Sequence, residues 1–258
     1  MALVRDERPR FAGLLNATAD TLGLDAALVE KDYWAVEVLR AVHAGFDVAI
    51  KEAEARIRPI FKGGTSLSKA FGLIQRFSED IDLLIPVPFD EPDGYSNRSV
   101  TSMAAEHADA ITGFPSYDDL TPVEVDTLAA ERTLVEKLAM LHDAAHQALD
   151  GKPTRFAGAG RHFYDVAQLL DSADVRSALS PVWVGEIAAD ADRWSDKGNF
   201  PFTPRPEAGF ATSPAFHNGD LIELVRPSFN IAMDWVWNSP KRSLEDCVAT
   251  VQTHAALL

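Results

Sequence analysis

The sequence predicts an α+β protein in which a small mixed sheet is flanked by helices and a mainly helical second lobe follows. Three observations predict it. Short segments with the composition of strands occur at 57–61, 80–85 and 121–126. Longer segments before and after them repeat apolar residues every three or four positions, as amphipathic helices do. After residue 126 only helical patterns remain, which divides the chain into a mixed lobe, 1–126, and a helical lobe, 127–258.

The first elements are two helices, predicted over residues 10–22 and 25–43. Asp25 is expected to begin the second one as its N-cap, because a short acidic side chain can accept hydrogen bonds from the free backbone N–H groups of the first turn. Apolar residues line one side of this helix at helical spacing.

The next elements surround a glycine turn. A short strand at 57–61 leads into Gly63-Gly64, since glycine tolerates the backbone angles of a tight turn, and a helix follows over 65–74. Residues 80–85 alternate as a half-buried strand does. On that strand Asp80 and Asp82 share one face, and the opposite face carries Ile81, Leu83 and Ile85.

The remaining elements alternate between one strand and several helices. Val123 and Val125 are expected to point inward from the strand 121–126. A helix over 127–149 carries an apolar stripe made of Leu134, Leu138, Leu141, Ala145 and Leu149. Further helices are predicted at 161–172, 181–194, 219–236 and 241–257, with a long proline- and glycine-containing loop over 195–218.

The composition excludes some classes of protein. The single cysteine, Cys247, leaves no disulfide framework and favours a reducing cytoplasm. No apolar run long enough to span a membrane and no signal-peptide core is present, so we expect a cytoplasmic protein without a membrane partner. The net charge of −15 argues against coating nucleic acid by bulk electrostatics. Because residues 83–131 hold one arginine against ten acidic residues, the flanking regions can still form a local basic patch for RNA.

The glycine turn and the two acidic residues together indicate a chemistry. Two carboxylates on one strand face repel each other, and a bound cation would offset that repulsion. Asp80 and Asp82 therefore suit a hard divalent ion that keeps waters and substrate oxygens in its shell. Gly63 and Gly64 allow a phosphate to approach the backbone where the next helix begins. Each part alone is a weak signal, but the joint pattern favours nucleotidyl transfer from a triphosphate.

Five segments resemble one known family. They are VEKDYWAVEVL, KGGTSLSKAFGL, RFSEDIDLLI, ERTLVEKLAMLHD and GRHFYDVAQLL, which lie in that order between residues 29 and 170. Together they resemble the AbiEii/AbiGii toxin-type nucleotidyltransferases, a branch of the DNA polymerase β superfamily that includes the MenT toxins. The segment after Asp171 carries no comparable motif.

The resemblance implies a role for individual residues. Asp80 and Asp82 would be the metal ligands, for Mg²⁺ or Mn²⁺. Lys137 would contact the triphosphate or the incoming hydroxyl, and Asp165 would be the carboxylate close to it in space. The triphosphate would be held by Gly63, Gly64, Thr65 and Ser66. Lys62, Lys69 and Arg76 bracket that turn and could assist, although plain surface charge explains each of them equally well.

The resemblance also implies a function. It implies transfer of nucleotides from a nucleoside triphosphate to an RNA acceptor, with the tRNA 3′ end as the expected acceptor. Disabled tRNA would block translation, and a cognate antitoxin would restrain the enzyme. The first lobe, 1–126, would carry the catalytic sheet, and the second, 127–258, would be its mainly helical counterpart.

Several alternatives stay open from the sequence. Lys137 could be an ordinary lysine that extends its charge to solvent, and Asp165 could form an exposed helical ion pair with Arg161. A third acidic ligand, common in polymerase β-like enzymes, could come from Glu124 or Asp126. A nucleotide- or partner-binding module with a vestigial metal site, or a metal-dependent nuclease, would use the same residues differently.

A zinc site is a further alternative. His142 and His146 lie four positions apart in the segment HDAAH, which resembles a zincin motif with Asp143 in place of glutamate. No third ligand is evident nearby, and the sequence favours two histidines that face solvent.

Overall fold

The computed structural model describes residues 2–50, 53–78, 80–86, 94–198, 202–237 and 239–258. These residues form two compact units. The first contains Met1–Gly72 and Phe77–Leu128, and the second contains Leu73–Arg76 and Ala129–Leu258. Helices and a small mixed sheet occur together, which confirms the predicted α+β class. Among the described residues, every helix is too short or too polar to cross a membrane.

The second helix of the first unit begins where the sequence predicts it. The Asp25 carboxylate accepts a hydrogen bond of 2.8 Å from the backbone N–H of Ala27, which confirms Asp25 as an N-cap. The third helix is predicted over 65–74 but begins at the turn itself, and the fourth helix is absent from the prediction. The helices in its described residues are α1 (Arg8–Leu22), α2 (Ala26–Val42), α3 (Gly63–Lys69) and α4 (Met103–Ala110).

The strands of the first unit form a hairpin and a separate four-stranded sheet. The hairpin pairs β1 (Phe46–Ile50) with β2 (Ala53–Ile57). The sheet has the order β4-β3-β6-β5, in which β3 and β6 run parallel and the other neighbouring pairs are antiparallel. Its strands are β3 (Ile60–Lys62), β4 (Asp82–Leu84), β5 (Tyr95–Val100) and β6 (Val123–Leu128).

The sheet packs against α2 through apolar side chains. Val123 and Val125 are each 3% exposed, as predicted, and they share a core with Val36, Leu39 and Phe61. This burial provides the main stabilisation for a sheet whose strands are only three to six residues long.

The segment 80–85 departs from the prediction. Only Asp82–Leu84 form a strand, and Asp80 lies just before it. Ile81 and Leu83 do pack against the core, but Ile85 is 42% exposed and both aspartates are exposed. The predicted alternation therefore holds for Ile81, Leu83 and the two aspartates, and it is wrong for Ile85, which lies beyond the end of β4.

Among its described residues, the second unit consists of helices, irregular segments and an isolated bridge between Arg76 and Val236. Four members of the predicted α5 stripe are completely buried, whereas Leu149, the last residue of that helix, is 52% exposed. Much of the region 195–218 is irregular where it is described, with short 3₁₀ turns at Phe210–Thr212 and Pro214–Phe216. The helices are α5 (Ala130–Leu149), α6 (Thr154–Ala157), α7 (Gly160–Asp171), α8 (Ala173–Ala178), α9 (Pro181–Lys197), α10 (Gly219–Asp234) and α11 (Leu244–Thr253).

Candidate active site

Gly63 of the turn lies against Asp82 of the acidic segment. Strands β3 and β4 pair Lys62 with Asp82, so Asp82 lies beside the residue that follows Lys62. Gly63 has a φ of +78°, and a Cβ at that position would lie 2.0 Å from Oδ2 of Asp82. Glycine is thus required twice: for the backbone angle, and because the carboxylate occupies the space of a side chain.

Thr65 and Ser66 stabilise the turn from within. The Thr65 hydroxyl donates a 2.6 Å hydrogen bond to the carbonyl oxygen of Asp80, and the Ser66 hydroxyl donates a 2.9 Å bond to that of Gly63. Each hydroxyl has a single proton, so neither donates it to a phosphate in this arrangement. The backbone N–H groups at the start of α3 are the remaining donors that a phosphate could use. Thr65 also fixes the main chain at Asp80.

The two acidic residues fit a hard divalent cation. Asp80 and Asp82 are exposed, and exposed carboxylates can bind a cation that keeps part of its water shell. Carboxylate oxygens are the donors that Mg²⁺ and Mn²⁺ prefer. Within the described ranges no group of three or more acidic, histidine or cysteine side chains forms a complete metal cage. Mg²⁺ usually needs only one or two carboxylates besides water and phosphate, so the pair suffices.

Neither candidate for a third carboxylate joins this pair in a larger acidic group of the described residues. Glu124 is exposed on β6, opposite Ser99. Asp126 accepts a 3.3 Å hydrogen bond from the side-chain amide of Asn97 on the neighbouring strand.

Two lysines near the turn differ in their surroundings. Lys69, at the end of α3, forms an ion pair with Asp32 of α2, and both side chains are almost fully shielded from water. The other oxygen of Asp32 accepts a 2.7 Å hydrogen bond from the backbone N–H of Met103, where α4 begins. Lys69 therefore connects α3 to its neighbours and is not a plain surface charge. Lys62 is half-buried on β3, opposite Asp82.

The second unit contains a buried charge cluster around Asp165. Arg76 donates two hydrogen bonds to its carboxylate, Nε to Oδ1 at 2.7 Å and the second guanidinium nitrogen to Oδ2 at 2.6 Å. Nζ of Lys137 lies 2.9 Å from the same Oδ2. Asp165 is completely buried, Arg76 is 3% exposed and Lys137 is 7% exposed. Asp165 and Lys137 are thus close in space, and the exposed Arg161 pair considered from sequence is replaced by a buried one.

The charge state of this cluster follows from its contacts. Burial alone would raise the pKa of the Asp165 carboxyl, but Arg76 and Lys137 outweigh it and hold that pKa well below its usual range. Asp165 is therefore ionised at any working pH. In this cluster two positive side chains, Arg76 and Lys137, contact one negative side chain, Asp165.

His162 completes the cluster and was missed from the sequence. Its Nδ1 lies 3.3 Å from Nζ of Lys137. Burial, followed by the neighbouring charge of Lys137, lowers the pKa of His162 to about 3. The signal that could have found it is its position three residues before Asp165, which places both side chains on one face of a helix.

The zinc alternative gains no support. His142 is 3% exposed, so the expectation of a solvent-facing histidine is wrong. Its Nδ1 lies 2.8 Å from the hydroxyl of Ser213, and its ring packs edge-on against His146. Burial lowers the pKa of His142 to about 4. No group of three metal-binding side chains that includes these histidines is found in the described ranges.

Comparison with protein families gives one match. The family model described as nucleotidyl transferase AbiEii toxin, type IV TA system, matches residues 48–110 and 99–217. The two matches together span well over half of the chain, including the turn, the acidic pair, Lys137 and Asp165. Comparisons with curated proteins and with solved structures give no significant match.

Proposed function

Because the chain belongs to the AbiEii toxin family of nucleotidyl transferases, we propose that it transfers nucleotides from a nucleoside triphosphate to the 3′ end of tRNA in a Mg²⁺-dependent reaction. The family makes it a toxin-type nucleotidyltransferase of a toxin–antitoxin system, with a nucleotide substrate and an antitoxin partner. Extended tRNA 3′ ends would block aminoacylation and hence translation. The cytoplasm, where tRNA is charged, is the expected site of action.

One observation supports this function above the others: a carboxylate oxygen of Asp82 lies in the space that a side chain at Gly63 would fill. A triphosphate whose phosphates approach the turn would bring its oxygens next to the acidic pair. A divalent ion bound there would neutralise the phosphate oxygens and stabilise the pyrophosphate that leaves. A vestigial binding module has no need to keep both parts in this arrangement.

Each of these residues then has its own role in the proposed reaction. Gly63 and Gly64 let the phosphates approach the backbone N–H groups at the start of α3. Asp80 and Asp82 would hold the divalent ion, and Thr65 keeps the main chain of Asp80 in place. Lys137 would contact an oxygen of the triphosphate. Lys62 would add a positive charge beside the turn.

The reaction forms one bond and breaks one at the α-phosphorus, and it moves one proton. The oxygen of the acceptor's 3′-hydroxyl attacks the α-phosphorus, and the bond between that phosphorus and the oxygen bridging to the β-phosphate breaks. Pyrophosphate leaves with the bonding electrons, and the hydroxyl proton is lost to water or to a base. Asp165 is a poor base, because Arg76 and Lys137 occupy both of its oxygens and hold the pKa of its carboxyl well below its usual range. We propose that it acts through Lys137, as a positioning residue.

The two lobes have different roles in the proposed reaction. The first, 1–126, would bind the metal and the triphosphate, and the second, 127–258, would supply Lys137.

The test is a tRNA extension assay. Purified protein is incubated with total tRNA, Mg²⁺ and each of the four labelled triphosphates separately, with an EDTA control. We expect the tRNA to lengthen only with Mg²⁺. Shortened tRNA would indicate a nuclease, and unchanged tRNA with tight triphosphate binding would indicate a binding module.

Two variants tie the activity to the site. Asp80→Ala and Asp82→Asn should each lower the extension rate at least about 100-fold, since the first removes a proposed metal ligand and the second removes the negative charge of one. Because both side chains are exposed, the melting temperature should stay near that of the wild type. Full activity in both variants would refute the site.

A further inference from the structure

His162 and Lys137 form a hydrogen bond whose direction is fixed by chemistry. A lysine ammonium group can only donate, so the 3.3 Å contact requires an unprotonated lone pair on Nδ1 of His162. A neutral histidine carries its one ring proton on the other nitrogen, so His162 is the Nε2–H tautomer.

The surroundings keep His162 neutral. The charged groups around it are Lys137 on α5, Arg76, and Arg161 and Asp165 on its own helix. Three of these four are cations, and the ring is buried. A proton on Nδ1 would add a buried cation and would convert the acceptor of the Lys137 hydrogen bond into a donor. The lone pair on Nδ1 is therefore present throughout the working pH range.

This arrangement fixes the ammonium group of Lys137. Of its three N–H bonds, one is directed to Oδ2 of Asp165 and one to Nδ1 of His162. The described residues offer no further hydrogen-bond partner for the third. Because two bonds fix a tetrahedral group, the third N–H has one direction, and the flexible lysine stem loses its freedom before any substrate arrives.

We propose that His162 is a positioning residue that accepts a hydrogen bond from Lys137 and thereby directs the remaining N–H of Lys137 to a phosphate oxygen of the triphosphate. The inference rests on the proposed function, in which Lys137 contacts that substrate. Asp165 supplies the charge that balances Lys137, and Arg76 holds Asp165 through both oxygens. His162 orients the ammonium group of Lys137 without adding a charge.

Three substitutions distinguish the role of His162 as a hydrogen-bond acceptor from its contribution to packing. In His162→Asn the side-chain oxygen takes the place of Nδ1 and keeps an acceptor for Lys137. His162→Leu keeps much of the volume but has no acceptor, and His162→Gln moves its acceptor toward the position of Nε2. We expect kcat/KM of the extension reaction to stay within about threefold of the wild type in H162N. It should fall about 10- to 100-fold in H162L and H162Q, as when a group that orients a ligand is lost.

Binding of a non-hydrolysable triphosphate with Mg²⁺ gives a second readout that does not need transfer. The dissociation constant should rise about tenfold or more in H162L and little in H162N, with Lys137→Met as the reference for complete loss of the contact. H162L equal to the wild type in both assays would overturn the inference and leave the proposed function intact. H162N as impaired as H162L would also overturn it, because the acceptor would then be irrelevant. If the wild type extends no RNA, the proposed function fails, and the binding series alone decides the role of His162.

A spectroscopic measurement covers the case in which the variants do not fold. The ¹⁵N shifts of the two ring nitrogens of His162 in the wild type distinguish the two neutral tautomers and the protonated ring. We expect the Nε2–H tautomer from pH 8 down to pH 5. A protonated ring, or the Nδ1–H tautomer, would overturn the inference.

Discussion

Asp82 and Asp165 are both carboxylates for which the sequence implies a role in the reaction, yet they lie in opposite environments. Asp82 is exposed, and one of its oxygens lies over the glycine turn. Asp165 is completely buried, and its two oxygens receive hydrogen bonds from Arg76 and an ion pair from Lys137. The first carboxylate retains lone pairs for a cation, whereas those of the second are occupied by the protein. Burial, and the occupation of both carboxylate oxygens by protein groups, thus distinguish a carboxylate that positions a neighbouring side chain from one that can bind a metal.

The same substitution at both positions is the strongest test of this comparison. Asp165→Asn removes the charge that two buried cations share, and leaving buried charges without their partner is strongly destabilising. We expect the free energy of unfolding to fall by about 3–5 kcal/mol. Asp82→Asn should change it by no more than about 0.5 kcal/mol, because the side chain is exposed. Urea denaturation of both variants gives the two values. Equal losses of unfolding free energy would contradict the distinction between a carboxylate held by protein groups and an exposed one.

The turn offers a second test, with a matched glycine. In Gly63→Ala the alanine would have to adopt a positive φ, and its Cβ would collide with Asp82. Gly72 also has a positive φ, of +63°, but open space surrounds the position of a Cβ there. We expect Gly63→Ala to cost about 2–3 kcal/mol of unfolding free energy and most of the extension activity. Gly72→Ala should cost about 1 kcal/mol, the strain of the backbone angle alone, and should keep the activity. Equal effects in both assays would show that the approach of Asp82 to Gly63 is unimportant.

The pH dependence of stability distinguishes the buried cluster from the exposed acids. The pKa of His162, lowered to about 3, lies below the value of about 6.5 expected in the unfolded chain. The unfolded chain therefore binds the proton more readily, and the contribution of His162 is complete above pH 6.5 and is lost progressively as the pH falls toward 3. Between pH 6.5 and pH 5 we expect the free energy of unfolding to fall by about 1–2 kcal/mol from this group.

Two variants isolate that contribution. His162→Asn cannot titrate, so its stability should fall less over the same pH interval, measured by urea denaturation at each pH. His43→Asn, at an exposed position, should follow the wild type. Parallel curves for the wild type and H162N would refute the low pKa of His162.

Sequence patterns predicted the parts of the fold that depend on neighbours along the chain. Asp25 caps α2 because a cap needs only the next few residues, and Val123 and Val125 point inward because strand alternation is local. Strands β1, β2 and β5 were not predicted, since a run such as YSNRSV is polar and five of its six residues are exposed.

The composition of the candidate site was easier to predict than its contacts. The glycine turn, the acidic pair, Lys137 and Asp165 are recognisable in the sequence, and the last two do lie close together. Arg76 and Asp165 are 89 residues apart, so no local pattern could show that Arg76 is buried against that carboxylate. The pairing of Lys69 with Asp32 was missed for the same reason. Long-range ion pairs depend on the tertiary structure, and they decide which charges remain available to a substrate.

The smallest effect that we expect concerns the hydroxyl that joins the turn to the acidic segment. Thr65→Val keeps the shape of a side chain that is 8% exposed but removes its 2.6 Å hydrogen bond to the carbonyl oxygen of Asp80. We expect a loss of about 1 kcal/mol in unfolding free energy. The extension rate should fall about 3- to 30-fold, because the backbone that carries Asp80 is less firmly held.

Ser68→Ala is the matched control, since Ser68 lies on the same helix and donates a 3.0 Å bond to the carbonyl oxygen of Thr65, away from the acidic segment. It should lose a similar stability while the extension rate stays near that of the wild type. The Mg²⁺ concentration for half-maximal rate should rise in Thr65→Val and stay constant in Ser68→Ala, because only the first hydroxyl fixes a residue that would bind the ion. An unchanged Mg²⁺ requirement in Thr65→Val would mean that the turn does not position the exposed carboxylates. Asp80 would then differ even more from Asp165, which the protein holds through both of its oxygens.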